Sequence, residues 1–222
     1  MEAMESPKNR STPEEMSSRY RLFRRVMRFL GGILWGFTVH GEEKIPRKGA
    51  LVVAANHTQY LDPVYVCMAI PRRVQWMAKK ELFVFPFGAF FYFIGSFPVD
   101  REGGGRAGLR SALNFLARGW TLGIFPEGTH RTGEASREAK SGTALLAVRG
   151  SAPVLPVFVG GSPNLRGRLR GERLHVYVGD PITVDPTLRG REAYRAAADE
   201  VLRTVYALPD GGEAGQRDGT PR

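Results

Sequence analysis

A histidine and an aspartate, five residues apart, are the side chains of this sequence best suited to acid–base chemistry. They lie in NHTQYLD, residues 56–62, directly after the apolar run ALVVAA. A loop of this length can fold back so that the Asp62 carboxylate meets one ring nitrogen of His57, which fixes the imidazole tautomer and stabilises the protonated ring. The other nitrogen can then act as a general base near neutral pH. In the alternative, Asp62 is the N-cap of a helix that starts at Pro63, and His57 is an ordinary loop histidine. The two roles are compatible because a carboxylate has two oxygens.

A general base needs a proton to remove, and the sequence offers no protein nucleophile to supply it. No serine lies in a G-x-S-x-G pattern. The single cysteine, Cys67, lies in the apolar stretch DPVYVCMAI and is expected to be core packing. One cysteine allows no intrachain disulfide, and the four scattered histidines lack the spacing of a zinc site. We therefore expect the group that loses its proton, such as an alcohol, to belong to a substrate.

A second set of residues has the chemistry to bind an anion. Arg101 follows the run SFPVD, and FPEGTHR at 125–131 ends the run TLGIF. Guanidinium groups suit phosphate, and backbone N–H groups around Gly128 and Thr129 can form an anion-binding turn. Glu127 cannot hold a phosphate by charge and is expected to bind a hydroxyl or to brace the arginines. Taken alone, PEG is also a common turn, so an ordinary strand-to-helix connection remains the alternative.

Strands that alternate with helices must position these residues. Strands are predicted in the runs ALVVAANH, RVQWMA, GSFPVDR, WTLGIFPEG, APVLPVFVGG and RLHVYVGDPI. Helices are predicted in DPVYVCMAI, GLRSALNFLARG, SGTALLAVRG and GREAYRAAADEVLRTVYAL. This alternation indicates an α/β domain with a largely parallel central sheet flanked by helices. Because function gathers beyond the carboxyl ends of such strands, we expect His57, Arg101 and Glu127 to share one crevice.

The chain divides into four parts by composition. Residues 1–18 are polar and are predicted to be disordered, as is the glycine-rich tail 209–222. Between them, the segment 19–40 carries arginines interleaved with apolar and aromatic residues, and residues 41–208 form the α/β domain. A basic amphipathic helix such as 19–40 suits an anionic membrane surface, and an ordinary surface helix is the alternative. The apolar stretch 82–99 is broken by prolines and glycines, so we expect it to be buried or interfacial rather than membrane-spanning.

The formal net charge of +10 favours anionic partners. The pattern of charge disfavours nucleic acid, because the arginines cluster in the amphipathic segment and at strand ends and no nucleic-acid-binding motif is present. We therefore expect contact with an anionic membrane surface and no nucleic-acid partner.

These stretches together resemble the phospholipid/glycerol acyltransferase family, over roughly residues 45–165. Four motifs of that family occur in the family's order. They are N-H-x-x-x-x-D at 56–62, a glycine followed by an arginine at 95–101, F-P-E-G-T at 125–129, and an apolar strand with a central proline at 154–159. One departure is that His130 and then Arg131 stand where the family has an arginine directly after the threonine. Lys140 also resembles a basic position downstream of the third motif.

The resemblance implies a role for each matched residue. His57 would deprotonate the free hydroxyl of a lysophospholipid, with Asp62 orienting it, and no covalent acyl-enzyme would form. The acyl donor would be a thioester of coenzyme A or acyl carrier protein, which is a co-substrate, and no metal or other cofactor is implied. The phenylalanine-rich stretch 82–93 would approach the acyl chain. Substrate binding would involve Asn56, Arg101, Glu127, Gly128, Thr129, His130 and Arg131, and it stays open whether His130 or Arg131 faces the phosphate.

The reaction implied is acylation of the sn-2 hydroxyl of 1-acylglycerol 3-phosphate, which gives phosphatidic acid. The protein would lie at the cytoplasmic face of the cell membrane as a peripheral or monotopic protein. Because related enzymes share these motifs, acylation of another lysophospholipid or of glycerol 3-phosphate is an alternative. A non-enzymatic, basic lipid-binding domain is a further alternative, although such a domain would not need the His57–Asp62 pair.

Overall fold

A seven-stranded sheet with helices on both faces forms the body of the molecule. The structure is a computed structural model that describes residues 17–84, 88–99, 106–128, 139–161, 167 and 169–213. Its strands are β1 (Thr38–His40), β2 (Leu51–Ala55), β3 (Val74–Lys79), β4 (Ser96–Val99), β5 (Thr121–Ile124), β6 (Val154–Gly160) and β7 (His175–Val178). Its helices are α1 (Ser18–Trp35), α2 (Asp62–Ala69), α3 (Gly88–Phe93), α4 (Arg106–Ala117), α5 (Gly142–Arg149) and α6 (Arg191–Glu213).

The strand order is β1-β7-β6-β2-β5-β3-β4, and all neighbouring pairs are parallel except the antiparallel β6 and β7. The predicted, largely parallel α/β sheet is therefore confirmed. Strand β1 was not predicted, because three residues are too short to show an apolar alternation. The predictions of disorder fall mostly on residues outside the described ranges, although α6 continues through Pro209 to Glu213.

The central strand β2 is covered on both faces, which explains its uninterrupted apolar sequence LVVAA. On one face Val53 packs in a cluster with Val66 of α2. On the other face Val52 packs with Leu116 of α4 and Leu146 of α5. Burial on both faces fixes the end of β2, and with it the start of the loop that carries His57.

Helix α1 is docked on this body by two of its arginines. Arg24, whose side chain is only 14% exposed, donates to the carbonyl oxygens of Met68 and Ala69 at the end of α2, and also bonds to Glu42. Burial lowers the pKa of the Arg24 guanidinium. Arg28 donates to both carboxylate oxygens of Glu42, at 2.8 and 2.9 Å. The arginine content of the 19–40 segment is thus partly a packing requirement, which its sequence pattern did not indicate.

Candidate active site

The Asp62 carboxylate organises the loop between β2 and α2. Its Oδ2 atom accepts hydrogen bonds from the backbone N–H groups of Thr58 and Gln59, each at 2.7 Å, and lies 3.1 Å from Nδ1 of His57. Asp62 is fully buried, and the His57 side chain is largely buried. Because an ionised carboxylate only accepts hydrogen bonds, Nδ1 is the ring nitrogen that carries the proton. That assigns the role of proton acceptor to Nε2.

The predicted helix-capping role of Asp62 is wrong. The N-cap position belongs to Leu61, and Asp62 is the first residue of α2, followed by Pro63. Its Oδ2 atom bonds back into the loop, and among the described residues its Oδ1 atom has no hydrogen-bond partner. The carboxylate still lies at a helix N-terminus, where the helix dipole favours a negative charge.

Aromatic stacking holds the His57 imidazole against the ring of Phe125, which in turn stacks with Trp76. Phe125, the first residue of FPEG, stacks on His57 with ring centroids 4.0 Å apart and planes at 15°. Trp76 also stacks on Phe125, with ring centroids 4.9 Å apart and planes at 17°. The Trp76 indole N–H donates to Sγ of Cys67, whose burial raises the pKa of its thiol, in agreement with the core role expected for Cys67. This stacking fixes the plane of the imidazole ring, and no pattern in the sequence indicated it.

Asn56 has a structural role in the described residues, and its role in substrate binding stays a prediction. Its amide group is buried and makes two hydrogen bonds with the backbone of Val159. Nδ2 donates to the carbonyl oxygen at 2.9 Å, and Oδ1 accepts from the N–H at 2.7 Å. Asn56 therefore ties the end of β2 to its neighbour β6 and fixes the residue before His57.

The FPEG turn lies at the end of β5, beside β2, and is contacted by residues from distant parts of the chain. Glu127 is only 8% exposed, and its Oε1 atom accepts a 2.6 Å hydrogen bond from the Tyr206 hydroxyl. Gly128 has a φ of +79°, and a Cβ added there would lie 2.6 Å from Nζ of Lys140. The Lys140 N–H also donates to the carbonyl oxygen of Pro126 at 2.8 Å. The exposed Lys140 side chain therefore crosses the glycine of the turn.

Four of the predicted site residues, Arg101, Thr129, His130 and Arg131, lie outside the described residues. The sheet order places the strands that precede them. β5, which leads to Glu127, is adjacent to β2, whereas β4, which precedes Arg101, is separated from β5 by β3. At this edge of the sheet, residues that follow β2 and β5 meet where the rings of His57 and Phe125 stack, and a crevice shared with Arg101 stays a prediction.

Comparison with known proteins identifies the family. A family model described as Acyltransferase matches residues 36–160, more than half of the chain. This chain belongs to the acyltransferase family. It is 30% identical over 165 residues to the 1-acyl-sn-glycerol-3-phosphate acyltransferase of Bacillus subtilis, covering 73% of this chain and 82% of that protein. It is 32% identical over 160 residues to the enzyme of the same name from Streptococcus pneumoniae, covering 68% of this chain and 59% of that protein.

The fold of this acyltransferase is also that of a solved structure. The crystal structure of the 1-acyl-sn-glycerophosphate acyltransferase of Thermotoga maritima superposes with a TM-score of 0.61 and covers 93% of this chain and 86% of that one. At 23% identity this likeness shows the fold alone. The family resemblance expected from the four motifs is confirmed. The region matched by the family model ends with β6, so α6, which carries Tyr206, lies beyond it.

Proposed function

We propose that this acyltransferase moves a fatty acyl group from an acyl thioester to the sn-2 hydroxyl of 1-acyl-sn-glycerol 3-phosphate, giving phosphatidic acid. The observation that carries the proposal is the His57 imidazole, bonded through Nδ1 to a buried Asp62 and lying beside the FPEG turn with its lysine. The choice of acceptor is supported by the names of the relatives from Bacillus subtilis and Streptococcus pneumoniae.

The proposed reaction needs only one proton carrier. Nε2 of His57 takes the proton of the acceptor hydroxyl as its oxygen attacks the thioester carbonyl carbon. The tetrahedral intermediate collapses, the C–S bond breaks, and the new C–O ester bond remains. The protonated His57 returns its proton to the departing thiolate. Asp62 stabilises the imidazolium between these steps, and the face of Phe125 adds a cation–π attraction to the charged ring.

The acceptor phosphate would bind at the FPEG turn. Lys140 supplies a cation across Gly128, and a φ of +79° at this glycine lets the backbone turn without a Cβ in the way. Arg101, Thr129, His130 and Arg131 remain proposed phosphate ligands on the motif match. Because the carboxylate of Glu127 would repel a phosphate, we propose that it faces its Tyr206 partner or an acceptor hydroxyl instead.

A panel of acceptors tests the proposed reaction. Purified protein is assayed for release of free thiol from acyl-coenzyme A and from acylated acyl carrier protein. The acceptors are 1-acylglycerol 3-phosphate, glycerol 3-phosphate, and lysophospholipids with choline or glycerol headgroups. We expect the highest kcat/KM with 1-acylglycerol 3-phosphate. A higher value with another acceptor would reassign the substrate, and transfer to none of them would refute the enzymatic proposal in favour of a lipid-binding domain.

We also propose that α1 contacts an anionic membrane surface, and the expected location at the cytoplasmic face of the cell membrane belongs to the same proposal. Leu22, Phe29 and Ile33 are 63%, 69% and 58% exposed and recur along one side of the helix. The arginines not used for docking, Arg19, Arg21 and Arg25, are exposed. Among the described residues, none of the helices is both long and apolar enough to cross a membrane. An apolar row flanked by arginines suits a helix that lies in the membrane interface.

Vesicle flotation tests this contact. Replacing Leu22, Phe29 and Ile33 by serine should reduce binding to vesicles that contain phosphatidylglycerol. Salt should weaken the binding of the parent protein, since electrostatic attraction to lipid is screened. Replacement of Arg24 alone would disturb docking of the helix and is not a clean control, so Leu169→Ser, at another exposed leucine, serves instead. Equal binding by the parent and triple variants would refute the contact.

A further inference from the structure

The C-terminal helix α6 makes one hydrogen bond to the FPEG turn and a second to the residue before Lys140. The Tyr206 hydroxyl donates to Oε1 of Glu127 at 2.6 Å, and Oδ1 of Asp199 accepts from the backbone N–H of Ala139 at 2.7 Å. Positions 199 and 206 are about two helical turns apart and therefore share one face of the helix. The same helix thus bonds both to the acidic residue of the turn and to the residue before Lys140.

Both contacts are fixed by packing around them. Leu202, which lies between the two positions on α6, is buried in a cluster with Ala139. The Tyr206 ring packs edge-on against Phe158 of β6, with centroids 5.8 Å apart. A short hydrogen bond from a hydroxyl to a carboxylate is among the stronger hydrogen bonds in proteins, particularly where water is largely excluded. Tyr206 is therefore held in place to orient the Glu127 side chain.

The charge arrangement explains why this carboxylate needs a partner. Glu127 immediately precedes Gly128, and the Lys140 side chain crosses that glycine. A carboxylate that could rotate freely there would pair with the lysine and compete with any anion bound at the turn. The hydrogen bond from Tyr206 holds one carboxylate oxygen of Glu127. Asp199 fixes the backbone at Ala139, the residue before Lys140.

We propose that Tyr206 and Asp199 are positioning residues, through which α6 sets the geometry of the acceptor-binding turn. This inference rests on the proposed function, in that the turn is taken to bind the acceptor's phosphate. It assigns a role in substrate binding to a helix that lies beyond the residues matched by the family model.

Tyr206→Phe isolates the hydroxyl, and Tyr194→Phe is the matched control, since Tyr194 is a half-buried tyrosine elsewhere on α6. Loss of one charge-assisted hydrogen bond should raise KM for the acceptor roughly tenfold or more, with KM for the acyl donor unchanged. Tyr194→Phe should leave both values near those of the parent. An unchanged acceptor KM in Tyr206→Phe, or equal increases for both substrates, would overturn the proposal.

Asp199 provides a test by conservative rescue. Asp199→Ala removes the acceptor for the Ala139 N–H and should raise the acceptor KM. Asp199→Asn keeps an oxygen that can accept this bond and should restore most of the parent value. If Asp199→Ala and Asp199→Asn have the same acceptor KM, and their thermal unfolding midpoints match that of the parent, Asp199 has no positioning role.

A binding measurement separates this proposal from the proposed reaction. The dissociation constant of glycerol 3-phosphate is measured by calorimetry for the parent and for Tyr206→Phe. If the parent transfers no acyl group but binds glycerol 3-phosphate roughly tenfold more tightly than Tyr206→Phe does, the reaction fails and the positioning role stands. Equal affinities, or no binding by the parent, would overturn the positioning role even where acyl transfer is observed.

Discussion

Replacing Asp62 by asparagine removes a single negative charge from the site and keeps the shape of the side chain. The amide oxygen can still accept from the N–H groups of Thr58 and Gln59, which now bond to Oδ2. What is lost is the charge beside His57, whose Nδ1 atom lies 3.1 Å from that oxygen. At a charge separation of about 4 Å and an effective dielectric constant of about 20, this interaction is worth about 4 kcal/mol. Since about 1.4 kcal/mol corresponds to a factor of ten in rate, kcat should fall about a thousandfold.

The assay is the release of thiol from acyl-coenzyme A at saturating acceptor, with circular dichroism and thermal unfolding to show that the variant is folded. Asp180→Asn is the matched control, because the Asp180 side chain is 81% exposed and bonds to Lys44 on the surface. It should retain the parent activity. If folded Asp62→Asn keeps kcat within about a factor of ten of the parent, Asp62 does not stabilise a charged His57 during turnover.

Three further predictions concern other contacts. Phe125→Leu removes the ring stacked on His57 and should lower kcat by up to about tenfold with little change in acceptor KM, measured by steady-state kinetics. Gly128→Ala places a Cβ where φ is positive and should cost about 1–2 kcal/mol in the free energy of unfolding by urea and raise acceptor KM; an unchanged KM would count against the turn as a binding site. The Arg28 hydrogen bond lowers the pKa of Glu42, so its stabilisation is present above the ordinary carboxyl pKa and is lost as pH falls through the lower folded value. Glu42→Gln should therefore cost up to about 1 kcal/mol at neutral pH, given the partial exposure of the pair, and less in acid, and a pH-independent difference would contradict this.

Local contacts in the site could be predicted from the sequence. His57 and Asp62 are five residues apart on one loop, so their spacing alone indicated that they could meet. The alternation of apolar runs likewise indicated the mostly parallel sheet, because each run is long enough to show its pattern. The same reasoning failed for the cap of α2. Whether the Asp62 carboxylate accepts from N–H groups of the helix or of the preceding loop depends on the exact loop geometry.

Contacts between distant parts of the chain could not be predicted from pattern. Tyr206 and Glu127 are 79 positions apart, and Tyr206 lies in a helix whose sequence looks like ordinary amphipathic packing. Asn56 was predicted as a substrate ligand from the N-H-x-x-x-x-D motif, and its two hydrogen bonds to the backbone of β6 could not be predicted from that motif. Arg24 was predicted to contact a membrane because it lies in a basic amphipathic segment. Its hydrogen-bond partners on α2 are distant in sequence and are visible only in the fold.

The central claim is that His57 is the general base of acyl transfer, and its removal tests this most directly. Parent protein and His57→Ala are compared for formation of phosphatidic acid from acyl-coenzyme A and 1-acylglycerol 3-phosphate, with thermal unfolding measured on the same samples. We predict that folded His57→Ala forms no product above the uncatalysed rate. Near-normal turnover by this variant would contradict the claim.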